Sequence, residues 1–162
     1  MLISRPMKRT AVRNRKIGAG AILALGVISL FASVPADARD DRLRFPILDA
    51  MSTPDAKAKL NGGVRFYFGP QKHAAPTRTM GEYTANKKTN FANKSDKDGC
   101  EWAFLSAAIS LQDRARQLGG NAVVNIRSVY KNVDFSSETQ YECGAGTFVG
   151  GVALRGEVVL LP

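Results

Sequence analysis

The sequence predicts a two-layer α+β domain, in which a small, mainly antiparallel sheet of three or four strands packs on one long helix. One long segment, beginning near residue 98 or 100 and ending at 118, has apolar residues at helical spacing. Other segments alternate apolar and polar residues, as half-buried strands do. The chain also has two cysteines, which one disulfide would join.

The first 38 residues are typical of a secretory signal peptide. Six basic residues and no acidic ones lie in 1–16, an uncharged apolar run follows at 17–32, and Ala36-Asp37-Ala38 is a small-x-small cleavage signal. Cleavage after Ala38 predicts a periplasmic or secreted protein. An uncleaved membrane anchor is the alternative, although the apolar run is shorter than the roughly 20 residues that a spanning helix prefers.

The positive charge of the chain belongs largely to this targeting segment. The chain has 23 basic and 14 acidic residues, of which 6 basic residues and 1 acidic residue lie in 1–38. The remaining 17 and 13 leave a net charge of +4. The high isoelectric point is therefore weak evidence for nucleic-acid binding, and no nucleic-acid partner is expected.

The two cysteines, Cys100 and Cys143, are expected to form a disulfide because an exported chain with an even cysteine count favours one. A metal or redox pair is the alternative. It has little support, because the chain has no C-x-x-C motif and its one histidine, His73, has no partner at ligand spacing.

The N-terminal part of the mature chain predicts a lead-in and a short helix. Residues 39–48 are a charged lead-in, and Ser52 or Thr53 as N-cap with Pro54 in the first turn begins a helix. Asn-Gly-Gly at 61–63 ends it. The predicted organisation is thus a signal peptide at 1–38, a lead-in with a short helix at 39–62, and a single α+β domain at 63–162.

Two strands are predicted before the long helix. The segment 64–69 alternates, so Val64, Phe66 and Phe68 are expected on one face and Arg65 and Tyr67 on the other. A second strand is expected at 79–85. The lysine-rich segment 86–99 is expected to be irregular.

The long helix is predicted from its apolar stripe. Three further apolar residues, Trp102, Leu105 and Ile109, widen the stripe, so the helix is expected to be covered on more than one side. The stripe itself consists of Phe104, Ala107, Ala108, Leu111, Ala115 and Leu118.

The helix–strand turn motif Gly119-Gly120-Asn121-Ala122 is predicted to reverse the chain. Glycine takes the positive φ that ends a helix without steric cost, and Asn121 tolerates it. In the strand that follows, one face is expected to hold Ala122, Val124, Ile126 and Tyr130.

The chain downstream of that strand is expected to form one polar turn region and one final strand. Residues 132–140 are the turn region. In the final strand, Gly150 and Gly156 are expected either to leave room for a close neighbour, the long helix, or to mark bulges. They share a predicted face with Phe148, Val152, Leu154, Val158 and Leu160.

The run RQLGGNAVVNIR at 116–127 resembles the signature of the YbjQ-type domains, which are described as heavy-metal-binding and form ring-like assemblies. It is also similar to the periplasmic domain of the Rcs envelope-stress-sensor lipoprotein. The resemblance spans 81–160 and places Cys100 and Cys143 like one of that sensor's two disulfides. This chain departs from the sensor, because it has no second cysteine pair and no cysteine before Cys100 to accept a lipid.

The whole mature chain resembles a group of short exported proteobacterial proteins that share TPDAKAKL, GVRFYFG, WAFLSAAISLQDRA and GGNAVVNI. Members of that group are often named "excinuclease ATPase subunit". The sequence does not support ATPase chemistry, because it has no G-x-x-x-x-G-K-[S/T] loop to hold phosphates.

No catalytic or metal-binding constellation is found, and no cofactor is predicted. His73 is interpreted as a loop histidine. Asp96 and Asp98 are interpreted as acidic residues that favour a helix N-terminus, since DKDG at 96–99 lacks the spaced ligands of a calcium loop.

The lysine-rich region is the one candidate for a binding surface. Residues 57–97 contain nine basic residues against Glu82 and Asp96. Lys87, Lys88, Lys94 and Lys97 are candidates for contact with an envelope protein or an anionic envelope component, and solvated loop charge is the alternative interpretation. The leading hypothesis is a non-enzymatic exported binding or sensing module, with no membrane span after cleavage. The alternatives are a structural homo-oligomer that uses Trp102, Leu105 and Ile109, and an enzyme.

Overall fold

The computed structural model describes residues 39–61 and 63–162, so the predicted signal peptide at 1–38 lies outside the described residues. The described part confirms a mixed α+β domain with one disulfide, but the predicted count of three or four strands on one helix is wrong. In chain order its elements are β1 (Asp40–Pro46), α1 (Ile47–Ser52), α2 (Pro54–Lys59), β2 (Arg65–Phe68), β3 (Arg78–Asn90), α3 (Asp96–Leu118), β4 (Ala122–Tyr130), β5 (Val133–Phe135), β6 (Gln140–Gly146) and β7 (Val149–Leu160).

The strands form one sheet that is organised around β7. Strand β3 pairs with β7 along one side, while β6 and then β4 pair with β7 along the other. Strand β1 extends the sheet beyond β6, and β2 and β5 extend it beyond β4. All pairs are antiparallel except β2 with β4, and the sheet curls into a half-barrel.

The segment predicted as a lead-in is strand β1, which pairs with β6 along its whole length. The strand alternates only at residues 42–45, where Leu43 and Phe45 pack against the core and the arginines do not. The pairing is reinforced across the strands by Arg44, which donates to the buried carboxylate of Glu142 at 3.1 Å. Helix α1, which was not predicted, buries Ile47 and Ala50.

Helix α2 and strand β2 confirm their predictions. The Thr53 hydroxyl accepts a hydrogen bond from the backbone of Ala56, and Pro54 occupies the first turn. Phe68 is buried against Phe104 of α3, with ring centroids 5.9 Å apart, whereas Tyr67 packs on the other face of the sheet. The alternation of β2 therefore reports its two faces correctly.

Strand β3 is longer than predicted, since 86–90 belong to it rather than to an irregular segment. Its side chains alternate between α3 and solvent, and polar residues suffice on the solvent side. The predicted turn region at 132–140 likewise contains a strand, β5, which forms a short hairpin with β4. Short polar strands of this kind are fixed by their neighbours rather than by local sequence.

Helix α3 begins at Asp96, a little earlier than predicted, because the Ser95 hydroxyl caps it by accepting from the backbone of Asp98. The predicted stripe is buried except for the half-buried Leu118. Of the three residues that widen the stripe, Leu105 is 4% exposed and Trp102 is 44% exposed. Trp102 therefore lies at the edge of the covered surface.

In the helix–strand turn motif, the two glycines serve different purposes. Gly119 takes a φ of 74°, and the amides of Gly119 and Gly120 donate to Arg116 and Ala115, which is a Schellman ending. Gly120 is required by space, since a Cβ there would lie 2.7 Å from a Val158 methyl. Asn121 then exchanges two side-chain hydrogen bonds with the backbone of Leu161, at 2.8 and 2.9 Å.

The predicted face of β4 is wrong because the strand contains a bulge. Asn125 has a φ of 53°, and the register with β7 shifts between Val124 and Arg127. As a result Val124 packs with Ala122 on one face, while Ile126 packs toward α3 on the other.

The close neighbours of the β7 glycines are not the long helix. A Cβ at Gly150 would lie 2.2 Å from the ring of Phe91, and Gly99 of α3 receives the same ring from the other side. A Cβ at Gly156 would lie 2.7 Å from Val123. Phe148, which was expected on the buried face, precedes β7 and is 70% exposed.

The disulfide between Cys100 and Cys143 joins the first turn of α3 to β6. Both residues are fully buried, and their Cα atoms lie 5.9 Å apart. The bond therefore links the helix covalently to the branch of the sheet that contains β6 and β1.

We expect replacement of both cysteines by alanine to lower the free energy of unfolding by about 2–4 kcal/mol, because the bond closes a 43-residue loop. Urea denaturation of the parent and the double variant, both without reductant, measures the difference. Equal free energies of unfolding for the parent and the double variant would contradict this expectation.

The two glycines of the turn motif are expected to respond differently to alanine. Gly119→Ala adds a Cβ at positive φ and should cost about 1 kcal/mol. Gly120→Ala drives a Cβ into Val158 and should cost about 1–3 kcal/mol. The second cost, unlike the first, should fall when Val158→Ala is also present. Thermal or urea denaturation of the three single variants and of the two double variants with Val158→Ala tests this coupling.

Candidate binding groove on the open face of the sheet

The sheet face opposite α3, here called the open face, contains a groove of about 610 Å³. Its volume is within the range of small-molecule sites, about 300–1,000 Å³. Strands β1, β3, β4, β6 and β7 all contribute to it. Its lining residues are Arg39, Asp40, Asn86, Lys88, Val129, Tyr130, Lys131, Gly144, Gly146, Val149, Gly150, Gly151 and Ala153.

The floor of the groove consists of glycine because larger residues do not fit there. Gly144 of β6 pairs with Gly151 of β7 at the centre of the floor. A Cβ at Gly144 would lie 2.1 Å from the ring of Tyr130, and one at Gly151 would lie 2.7 Å from the carbonyl oxygen of Lys87. The floor therefore has no side chains of its own, and the ring of Tyr130 covers it at Gly144.

One wall is held together by a carboxylate with two partners. The Tyr130 hydroxyl donates to Asp40 at 2.5 Å, and the Lys131 ammonium bonds the other oxygen of the same carboxylate. The Lys131 hydrogen bond and then that of Tyr130 hold the pKa of Asp40 below its usual range, and Asp40 in turn raises the pKa values of Tyr130 and Lys131. These contacts fix the ring of Tyr130 over Gly144.

Arg39 ties the same wall to the helix. Its guanidinium binds both oxygens of Asp96 at the N-terminus of α3, and its Nε donates to Asp41 at 2.7 Å. The hydrogen bond from Arg39 lowers the pKa of Asp96. This pairing agrees with the interpretation of Asp96 and Asp98 as residues of a helix N-terminus, since both lie in the first turn of α3.

The opposite wall is strand β3, from which Asn86 and Lys88 face the groove. Among the described residues Lys88 has no acidic partner, so its charge is available to a ligand. Three cations and one carboxylate thus line the groove, counting Arg39, Lys131 and Asp40 with Lys88.

The structure does not bring the four predicted lysines together. Lys88 lies in the groove, but the neighbouring Lys87 faces the α3 side of β3. Lys94 donates to the carbonyl of Asn90, and Lys97 pairs with Asp49 at 2.9 Å. Sequence proximity fails here because successive strand residues point to opposite faces.

Most groove residues were not predicted, since they come from five strands that are distant in sequence. In the sequence, the groove is indicated only by a strand that contains Lys88 and by a later strand that is rich in glycine and could pair with it. His73 lies elsewhere, with its ring centroid 5.4 Å from that of Tyr67 and its Nδ1 2.9 Å from the carbonyl of Ala74.

A second, smaller cavity of about 150 Å³ lies between α2 and α3 and is lined by Asp55, Asp98, Glu101 and Trp102 among others. Two of its acidic residues are paired with lysines of the same chain. Lys59 lies 3.5 Å from Asp55 and over the Trp102 ring, and Lys97 lies 3.7 Å from Glu101. Within 39–61 and 63–162, no three His, Cys, Asp or Glu residues are grouped to hold a metal ion.

Comparison with protein-family models, with curated proteins and with solved structures gives no match for this chain. In the part of the chain that the structure describes, no helix has both the length and the hydropathy that crossing a membrane requires.

The wall of the groove is expected to weaken in acid. Asp40 and Asp96 have lowered pKa values in the folded protein, so they stabilise it above their unfolded pKa, near 3.9, and that stabilisation is lost as the pH falls through the folded values. Urea denaturation at pH 7 and at pH 3 should show a larger stability difference for the parent than for Asp96→Asn. Equal differences would contradict the assignment, and Asp113→Asn, at an exposed helix site, is the control.

Proposed function

We propose that this protein is an exported, non-enzymatic binding or sensing module that takes a small organic anion into the open-face groove. The observation that supports this most directly is the glycine floor with cations on both walls. Lys88 lies on the β3 wall, and Arg39 and Lys131 lie on the other. The buried disulfide agrees with an oxidising compartment, as the predicted signal peptide also requires.

The shape of the groove indicates what the anion must look like. A floor without side chains admits a thin or flat body that lies against the sheet. Tyr130 adds an aromatic ring beside the floor. A carboxylated or phosphorylated sugar combines a flat polar body with the negative charge that Lys88 and Lys131 favour.

The alternatives have less support. For a homo-oligomer through Trp102, Leu105 and Ile109, Leu105 is already buried within its own chain, so that surface is smaller than the sequence suggests. For an enzyme, the groove places the Tyr130 hydroxyl beside Asp40, but the lowered pKa of Asp40 and the raised pKa of Tyr130 both oppose transfer of the tyrosine proton to that carboxylate. The name of an ATPase subunit, which the resemblance suggests, receives no support from a groove whose glycines lie in paired strands.

Titration of the ¹⁵N-labelled protein with glucuronate and with glucose 6-phosphate tests the proposal. We expect at least one of them to shift the backbone resonances of Gly144, Gly151 and Lys88, and neutral glucose to shift them far less. Lys88→Gln should weaken binding at least about tenfold, because a hydrogen bond to a charged group contributes about 1.5–3 kcal/mol.

Variants at Ala153 separate groove binding from general charge effects. Ala153→Phe should abolish the shifts by filling the groove, whereas Ala153→Ser should preserve them. If neither anion shifts the groove resonances, or if glucose shifts them equally, this ligand class is wrong.

A further inference from the structure

The outer edge of β3 has the properties of a strand that pairs with another strand. Among the described residues, β3 pairs with β7 and with no other strand. The Phe91 amide donates to the carbonyl of Phe148, the residue before β7. This hydrogen bond lies next to the pair of Asn90 with Val149. Because the bonding direction alternates along an antiparallel strand, Thr84, Asn86 and Lys88 direct their backbone groups away from β7.

This edge is open to solvent. A cavity of about 290 Å³ runs beside it, lined by 83–87 of β3 and by Ser110, Leu111 and Arg114 of α3. The regular part of the strand is long, because it extends from Glu82 to Asn90 before the bulge near Gly81 interrupts the register. An unpaired edge of this length presents a row of N–H and C=O groups with which a second strand can pair where the charges allow it.

The charges on this edge match a second copy of the same strand. We infer that the protein forms a two-fold symmetric dimer in which β3 pairs antiparallel with β3 of a second copy, centred on Ala85. In this register Glu82 lies opposite Lys88, and Tyr83 lies opposite Lys87, twice each because of the symmetry. Thr84 and Asn86 then exchange backbone hydrogen bonds across the interface.

Three other registers bring like charges together. Centring the axis on Lys87 or Lys88 places lysines opposite each other, and centring it on Glu82 places carboxylates opposite each other, which is destabilising. In the register centred on Ala85, Lys88 gains the acid that it lacks within its own chain. Glu82 also lies 2.8 Å from Arg127 through one carboxylate oxygen and 3.8 Å from Arg155 through the other, so Lys88 of the second copy would join these two cations around it. Arg39 and Lys131, on the far wall of the groove, keep their own carboxylate partners in the dimer.

The pairing predicts a charge exchange between two variants. The parent, expressed from its full coding sequence, should sediment as a dimer. Glu82→Lys and Lys88→Glu should each raise the dimer dissociation constant at least about tenfold, since like charges then face each other in both symmetric pairs. A one-to-one mixture of the two variants should recover the dimer, because every lysine then faces a carboxylate. Lys94→Glu, outside β3, is the charge-matched control and should leave the dimer unchanged.

Asn86→Pro is a second variant in case a charge variant does not fold. It removes an outward amide that the monomer does not use, so it should keep the native circular dichroism and lose the dimer. A parent that stays monomeric up to about 1 mM would overturn the proposal. A dimer that both charge variants and Asn86→Pro leave intact, or a mixture that stays monomeric, would also overturn it.

Discussion

The fold depends on the close approach of three strands and a buried aromatic ring to β7. A single strand of twelve residues pairs with β3 on one side and with both β6 and β4 on the other. Such crowding leaves no room for side chains where the neighbours come closest. Gly150 and Gly99 together make the space for Phe91, and Gly156 makes the space for Val123. The glycines of β7 are thus a packing requirement, and the disulfide fixes α3 against the same region.

The curl of the sheet follows from the way in which two strands share one side of β7. Strand β4 pairs with β7 up to Ser128, and the bulge at Asn125 increases its twist before it leaves. Strand β6 takes the vacated place through Gly144 and Ala145. The end of β4 then lies over β6, which sets Tyr130 above Gly144 and closes one side of the groove. The groove is therefore a consequence of the sheet's branching.

Local signals in the sequence predict the elements that are stabilised locally, and they miss those that depend on distant partners. Helix α3, its ending at Gly119 and the alternation of β2 were all predicted, because capping, periodicity and positive φ depend on residues that are close together in sequence. Strand β5 was missed because its few residues become strand only through pairing with β4. Strand β1 was missed because its alternation covers only residues 42–45 within a mostly charged segment. The face of β4 was wrong at Ile126 because the bulge at Asn125 changes the side to which the next residue points.

The groove shows why a lysine-rich segment is a poor guide to a binding surface. In a strand, neighbours such as Lys87 and Lys88 face opposite sides, so one of them lies in the groove and the other lies beside α3. The charges that frame the groove with Lys88 come from Arg39 and Lys131, which are far from it in sequence. Lys88 is also the residue at which the open face meets the free edge of β3. The proposed ligand and the proposed second copy of β3 would therefore act on the same ammonium group. Since two anions that approach one cation compete for it, the proposed ligand binding and the proposed dimer formation would be coupled through this single charge.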